Sequence, residues 1–230
     1  MLGTLVNTAA IVAGSLVGMT LFRGRISAST NESIMKALAL AVILIGIKNA
    51  MSGQNTMLVI FSLVIGTYIG EQLDIERAMN RLAGWIEKRL KGTDSGFSKA
   101  FVTTSLIYCV GSMAILGALE SGLKGQHEIL FAKSMLDGVS SIIFSSTLGI
   151  GVLFSSLPVL LYQGAITLGA GFLKDLLTDP VIADMSGIGG LLIIAIGLNI
   201  LEVKAIRVGN MLPAIFIPII YALVRPFLPI

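Results

Sequence analysis

A run of 36 residues from Gly138 to Leu173 contains no Asp, Glu, Lys or Arg. Water-soluble domains carry about 25% charged residues spread over their surfaces, so a run of this length has no natural place in one. The whole chain of 230 residues is 55% hydrophobic and 13% charged, which is too little charge to cover a soluble core. The sequence therefore predicts an integral membrane protein.

Several classes of function are disfavoured by what the chain lacks. Cys109 is the single cysteine, which excludes an internal disulfide framework, and with the single His127 it is too little for a conventional zinc site, so we expect no metal and no cofactor. No zinc-protease, serine-hydrolase, P-loop or dinucleotide-binding motif is present, which argues against an enzyme. The pI is near 9.1, but the basic residues flank apolar runs, which is typical of membrane proteins and argues against a nucleic-acid partner.

The apolar runs predict an all-α, polytopic transmembrane helical bundle of about eight spans, with seven as the alternative, because a spanning helix needs about 20 mostly apolar residues. The fifth and sixth spans share the uncharged run, and two full spans need about 40 residues. We therefore expect at least one of them to be short, tilted or broken, with a turn around Ser155–Pro158. The predicted spans are 4–22, 34–51, 56–73, 100–119, 133–155, 158–176, 186–201 and 209–228.

The distribution of positive charge predicts the orientation. No Lys or Arg precedes the first span, whereas Arg23 and Arg25 follow it, so we expect a retained span rather than a signal peptide, with the N-terminus outside. With eight spans, this orientation places eleven Lys and Arg residues inside and five outside. That bias agrees with the positive-inside rule.

Much of the inside charge lies in segment 74–99, which predicts a separate helix. Between Glu71 and Lys91 apolar residues recur every three or four positions, and the basic residues lie largely off that stripe. Two arrangements fit this pattern. The helix lies at the cytoplasmic interface with Trp85 at headgroup depth, or it packs against the cytoplasmic side of the protein itself.

The first three predicted spans resemble the last three. An amide followed by small residues aligns Asn7 with Gln163, and a shared apolar stretch aligns Lys48 with Asn199. The third pair agrees only in hydrophobicity and a terminal tyrosine. With eight spans, the second copy lies upside down relative to the first, which is the architecture of many secondary transporters. With seven spans, the two copies would be parallel.

This repeat sets the predicted organisation of the chain, which is a single integral-membrane domain, 1–230. Repeat one (1–73) and repeat two (158–230) lie on either side of the cytoplasmic segment 74–99 and the central spans (100–157).

The fifth span carries the most polar face. At helical spacing Asp137, Ser140, Ser141 and Ser145 share one face, and Lys133 stands one turn before Asp137, where the two can pair. An ionised carboxylate at membrane depth is costly unless it is paired or hydrated, so Asp137 is a candidate substrate-binding residue, with serine oxygens as further ligands for a cation. The alternative is an Asp137 at the interface and serines that pack helix on helix.

Three further polar residues are candidates for lining the same site. Asn7 and Gln163 are uncharged hydrogen-bonding groups within spans, and Asn199 belongs to the second repeat pair. Interhelical hydrogen bonds are the alternative use of such side chains. Glu120, near the outer end of the fourth span, is interpreted either as a transport gate or as a loop acid.

The chain also resembles the domain-of-unknown-function 554 family, which comprises bacterial multi-spanning inner-membrane proteins. The motifs that carry the resemblance run over the whole chain, and the block 111–164 is the most specific of them. One loop departs from the pattern, where Gln126 and His127 stand at a place where an acidic residue is expected. The resemblance implies a bacterial plasma-membrane location and a small spanning domain, and it implies no particular activity. The motifs are Gly3-Thr-Leu-Val-Asn-Thr-Ala-Ala-Ile, Gly70-Glu71, Gly111-Ser-Met-Ala-Ile-Leu-Gly-Ala, Lys133-Ser-Met-Leu-Asp-Gly, Gly149-Ile-Gly-Val and Tyr162-Gln-Gly.

These observations favour a transporter or channel for a small ion or solute in the lipid bilayer, coupled to a cation or a proton through Asp137. The alternative is a non-transporting membrane sensor, scaffold or assembly subunit that acts through segment 74–99. Either function is compatible with a homodimer.

Overall fold

The structure, a computed structural model, describes residues 1–22, 28–78, 80–81, 84 and 96–225, and all the regular structure in these residues is helical. The predicted all-α class is confirmed. The helices are α1 (Leu2–Val17, continued by a π-helical turn, Gly18–Phe22), α2 (Ala28–Ala50), α3 (Thr56–Leu73), α4 (Phe97–Cys109), α5 (Ser112–Leu123), α6 (Glu128–Leu148), α7 (Gly151–Phe154), α8 (Ser156–Leu173), α9 (Asp179–Ile200), α10 (Val208–Met211, followed by a 3-10 turn, Leu212–Phe216) and α11 (Ile217–Val224).

Six helical segments in the described residues are long and apolar enough to cross a membrane, and α4 and α5 make a seventh if they are one bent span. We expected about eight spans, and the eighth predicted segment is a shorter apolar helix, Val208–Val224. It consists of α10, the 3-10 turn and α11. Pro213 and Pro218 each stand in the first turn of a new helical piece, because proline has no N–H to continue the preceding helix.

The fifth and sixth spans differ from the prediction in where they begin and turn. The chain reverses at Gly149, whose φ of 81° is left-handed, so the turn predicted at Ser155–Pro158 is wrong. Helix α6 begins at Glu128, five residues before the predicted start at 133, and the next span is Gly151–Leu173. The earlier start gives the two spans enough residues to cross in full.

The fourth predicted span is broken. Helices α4 and α5 meet at a 60° bend. At the bend Val110 has an extended backbone and Gly111 has a φ of 130°, a conformation that side-chain-bearing residues rarely adopt. We expected the fifth or the sixth span to be short, tilted or broken, whereas the bent span in the described residues is the fourth.

The helices pack as two groups, which meet where α5 contacts α9 and α2 contacts α6, and α4 packs mainly on the first group. One group contains α1, α5, α6 and α8, and the other contains α2, α3, α9 and the segment Val208–Val224. Helix α9 is the most buried of the six spans. Helices α1 and α6 run parallel, since Gly3 lies against Leu130 and Gly18 lies against Ile142.

Each helix of the first predicted repeat packs antiparallel to its counterpart in the second. Helices α1 and α8 make the contacts Thr4–Thr167 and Asn7–Gln163, α2 and α9 make the contacts Gly46–Gly190 and Ala50–Gly187, and α3 and the 208–224 segment make the contacts Gly66–Ala214 and Gly70–Asn210. In all three pairs the residue numbers rise along one helix as they fall along the other. The internal repeat itself stays a prediction.

The amphipathic helix predicted in segment 74–99 lies mostly outside the described residues, including Trp85 and Lys88. The described residues 75–78 are helical. Glu76 connects this end of the segment to the bundle, because its backbone N–H donates to Asn210 Oδ1 over 2.7 Å and its Oε2 accepts from the Gly209 N–H over 3.1 Å.

Candidate functional site

A buried ion pair lies on α6. Lys133 Nζ is 3.0 Å from Asp137 Oδ1 and 2.8 Å from Asp137 Oδ2. The two residues are four positions apart on one helix, which places their side chains on the same face. Each is only 6% exposed. The predicted pairing is therefore confirmed, and neither charge lies on the surface of the bundle.

Asn7 connects this pair to two other helices. Its Nδ2 donates to Asp137 Oδ2 over 3.0 Å and to Gln163 Oε1 over 3.4 Å. Asn7 and Gln163 are both completely buried. The cluster therefore joins α1, α6 and α8, and we refer to Lys133, Asp137, Asn7 and Gln163 together as the polar cluster.

Two members of the polar cluster lie near the middle of their spans. Asp137 is one residue from the middle of α6, and Gln163 is one residue from the middle of Gly151–Leu173. Asn7 lies between one and two turns from the start of α1. The alternative of an interfacial Asp137 does not fit this position along the helix or the burial of the side chain.

The polar cluster has unused hydrogen-bonding capacity. Asn7 Oδ1 and Gln163 Nε2 are buried and have no hydrogen-bond partner among the described residues. Buried polar atoms are nearly always paired, because an unpaired one loses its water without compensation. One acceptor and one donor thus stand free beside the ion pair.

The bend between α4 and α5 approaches α6 one turn after Asp137. Tyr108, near the end of α4, is 1% exposed, and its hydroxyl lies 3.4 Å from Ser140 Oγ. Ser140 also donates to the Asp137 backbone carbonyl over 3.0 Å. The broken helix therefore lies next to the helix that carries the ion pair.

Ser141 and Ser145, which we predicted as further ligands, pack against α1 in the structure. Their hydroxyls donate to carbonyls of their own helix, at Gly138 over 2.8 Å and Ile142 over 3.2 Å. Both serines pack against α1, at Gly14 and Gly18. This is the helix-packing arrangement that we considered as the alternative, and a contact of these serines with a solute stays a prediction.

Two other candidates do not join the polar cluster. Asn199 pairs with the backbone of Ile206, donating to its carbonyl and accepting from its N–H, each over 2.8 Å. These two hydrogen bonds hold the connection from α9 to α10. Glu120 lies 3.5 Å from Lys124 with about a third of its side chain exposed. Any part for Asn199 or Glu120 in binding a substrate stays a prediction.

Asp184, which we did not select from the sequence, is also buried, at 4% exposure. Its Oδ1 accepts from the backbone N–H groups of Gln54 and Asn55, both over 2.8 Å. The predicted seventh span begins at residue 186 and leaves Asp184 outside it, whereas α9 begins at Asp179. The signal available in the sequence was an acid inside an otherwise apolar, small-residue stretch.

Comparison with known proteins agrees with the membrane character of the chain. The model of a protein family described as a protein of unknown function, DUF554, matches residues 2–223. The chain is similar to the uncharacterised membrane protein YdfK of Bacillus subtilis (strain 168), with 33% identity over 223 residues that cover 95% of this chain and 94% of YdfK. It is also similar to the uncharacterised protein YqgA of Escherichia coli (strain K12), with 31% identity over 221 residues that cover 94% of each chain.

No solved structure shows significant similarity to the chain. The family match and the two relatives extend over nearly its whole length, and they agree with the motifs on which the resemblance was based. The chain is thus a membrane protein that belongs to the DUF554 family.

Proposed function

We propose that this protein transports a small ion or solute across the bacterial plasma membrane and couples that movement to a proton or another cation at Asp137. The observation that carries the proposal is the polar cluster, a buried Lys133–Asp137 pair within a span that is hydrogen-bonded to an amide from another helix.

The energetics of a buried ion pair favour a role in function over a role in stability. Taking two charges out of water costs several kcal/mol for each ion, and a well-packed apolar pair of similar volume is often as stable or more stable. Ionisable groups within membrane spans are accordingly rare and mark ion pathways and proton relays. Lys133 and Asp137 therefore add little to stability that two apolar residues would not add.

The chemistry follows from what each member of the polar cluster can do. Asp137 accepts a proton or binds a cation at its carboxylate, and Lys133 supplies the positive charge that neutralises Asp137 when the carboxylate is empty. Arrival of the coupling ion displaces the Lys133 ammonium from the carboxylate. The ammonium then turns to the free acceptor beside it, Asn7 Oδ1.

The amide pair provides an exchange between two arrangements. Here Asn7 Nδ2 donates to Asp137, while Gln163 Nε2 has no partner among the described residues. In the second arrangement Gln163 Nε2 takes over the bond to Asp137. The hydrogen bond of Asp137 thus passes from α1 to α8, and these two helices run in opposite directions.

Two features of the fold support this proposal. The predicted repeat partners pack antiparallel in all three cases, as inverted repeats do around a mid-membrane site. The α4–α5 break interrupts a span at the half-buried residues Val110 and Gly111, and such broken helices are typical of transporter binding sites. The proposed orientation places the N-terminus outside and segment 74–99 in the cytoplasm.

The test is ion flux in liposomes that contain the purified full-length protein. Proton, sodium and potassium movements are followed with internal fluorescent indicators, with wild-type protein, Asp137→Asn and Glu32→Gln. Glu32 and Lys36 form an exposed pair with the same four-residue spacing and a distance of 2.7 Å, so Glu32→Gln is a matched change of charge outside the polar cluster.

We expect flux of at least one of these ions with wild-type protein and Glu32→Gln, and a fall to the protein-free level with Asp137→Asn. Wild-type protein without flux of any of the three ions would contradict the coupling. So would Asp137→Asn protein that conducts as the wild type does. Elution as a single species in size-exclusion chromatography establishes that each variant is folded.

A further inference from the structure

A second polar site lies at the end of the bundle where α1 begins, away from the polar cluster. It is a cavity of about 420 Å³, within the roughly 300–1,000 Å³ range of small-molecule pockets. The start of α3, the connection from α8 to α9, the first turns of α9 and one face of α11 line it. These elements, apart from the end of α8, belong to the helix group that does not hold the polar cluster.

The cavity is lined by charges of both signs. Asp184 contributes a buried carboxylate, and Arg225 contributes a guanidinium from the last described turn of the chain. Asp175, in the connection after α8, adds a second acid. Within the described part of the chain, neither Arg225 nor Asp175 forms an ion pair.

Asp184 is held in place and is still free to bind. Its Oδ1 accepts two backbone N–H groups at 2.8 Å, which fixes the side chain. Its Oδ2 makes no hydrogen bond to any described residue, although the residue is only 4% exposed. Burying a carboxylate in an apolar helix costs free energy unless both of its oxygens are paired. Asp184 pairs only one of them with described residues, and it lines the cavity.

The rest of the lining suits a ligand with an apolar body. Leu58, Val181 and Pro218 line the wall between the charged groups. Tyr221 and Arg225 are four residues apart and so share one face of α11. A positive group at Asp184, a negative group at Arg225 and an aliphatic chain against this wall use all three parts of the lining.

We infer that this cavity binds a small zwitterion that carries an ammonium group, a carboxylate group and an aliphatic side chain, as an aliphatic amino acid does. The ammonium group donates to Asp184 Oδ2. The guanidinium of Arg225, whose planar donors match a carboxylate, holds the opposite end of the ligand. The inference stands whether or not the polar cluster transports an ion.

The test is equilibrium dialysis of purified full-length protein in detergent against radiolabelled L-leucine. Two competitors each lack one charged group of leucine: 3-methylbutylamine has no carboxylate, and 4-methylpentanoate has no ammonium group. We expect saturable leucine binding, and competition by each analogue that is weaker than that of unlabelled leucine by about tenfold or more, because each loses a charge-assisted contact.

Variants locate the binding. Asp184→Asn keeps an amide oxygen for the two backbone donors and so preserves the local fold, and Arg225→Gln removes the guanidinium. Each is expected to weaken leucine binding by about tenfold or more. Arg207→Gln, at the opposite end of the bundle where Arg207 lies 3.3 Å from Glu71, is the matched control and is expected to bind as the wild type does.

Three results would overturn the inference. The first is wild-type protein that shows no saturable binding of leucine. The second is 3-methylbutylamine that competes as well as unlabelled leucine, which would remove the carboxylate contact. The third is leucine affinity that is unchanged in Arg225→Gln or Asp184→Asn, since binding would then lie elsewhere.

Discussion

Replacing Lys133 with methionine should destabilise the protein strongly, although methionine fills a similar volume and is more apolar. The reason is that the substitution leaves the Asp137 carboxylate buried without its ammonium partner. Asp137 would lose both contacts to the ammonium, at 2.8 and 3.0 Å, and keep one bond, from Asn7 at 3.0 Å. A carboxylate that is 6% exposed would then have no opposite charge among its present partners.

The expected magnitude follows from this isolation. Breaking a buried ion pair by removing one partner costs about 3–5 kcal/mol. For a chain of this size 1 kcal/mol moves Tm by roughly 2–4 °C, so Lys133→Met should lower Tm by about 6–20 °C. The double variant Lys133→Met/Asp137→Leu should recover most of that loss, because neither charge is left alone in the interior.

The assay is the loss of monodisperse protein with temperature, followed by size-exclusion chromatography in detergent. Lys36→Met is the control, because Lys36 pairs with Glu32 at the same four-residue spacing but both side chains are more than 60% exposed. We expect a Tm close to that of the wild type, since solvent screens exposed pairs. If Lys133→Met has the same Tm as Lys36→Met, or if the double variant is no more stable than Lys133→Met alone, the reasoning about the buried pair is wrong.

Two further predictions concern packing and topology. A Cβ atom on Gly14 would meet Ser141 on α6, whereas one on Gly171 would meet no neighbouring atom within 4 Å; Gly14→Ala should therefore lower Tm, and Gly171→Ala should leave it unchanged or raise it, since alanine favours a helix. In bacterial cells, green fluorescent protein fused after Arg81 should fluoresce and alkaline phosphatase fused after Gly125 should be active, which requires α4–α5 to cross as one span; the reverse pattern at either position would contradict the topology.

The parts of the site that depend on helix geometry could be predicted from the sequence. The Lys133–Asp137 pair follows from a spacing of four residues, which any helix converts into neighbouring side chains. The assignment of Asn7 and Gln163 to the same site follows from their equivalent places in the predicted repeat, although their direct contact was not predicted. Both inferences use relations within one helix, or a symmetry between two, and need no knowledge of which helices become neighbours.

The parts that depend on the identity of the neighbour could not be predicted. Ser141 and Ser145 share a helical face with Asp137 in the sequence, but α1 brings glycines to that part of α6 and the serines pack there. The repeat made Asn199 a candidate for lining the site, but the return of the chain after α9 pairs it with the backbone of Ile206. Periodicity shows which residues share a face and leaves open which helix covers that face.

The predicted boundary of α9 was wrong for a related reason. The predicted seventh span begins at residue 186 and so leaves Asp184 outside it, as expected for an isolated charge that the membrane excludes. Asp184 is satisfied by the backbone N–H groups of Gln54 and Asn55, so α9 begins at Asp179 and extends past the predicted boundary. A charge marks the end of a span only when nothing in the fold compensates it.

The division of contacts in the polar cluster bears on how the proposed transport would proceed. Lys133 and Asp137 are on the same helix, so a movement of α6 relative to its neighbours leaves their pairing intact. Within the polar cluster, only the Asn7 bond to Asp137 joins a charged group to another helix, and such a bond contributes about 1.5–3 kcal/mol. The barrier to an exchange from Asn7 to Gln163 is therefore set by one interhelical bond together with the packing of Ser141 against Gly14. A bulkier side chain at Gly14 should for this reason slow transport as well as weaken the fold. Asp137→Asn should stop transport while the packing of Gly14 against Ser141 stays in place.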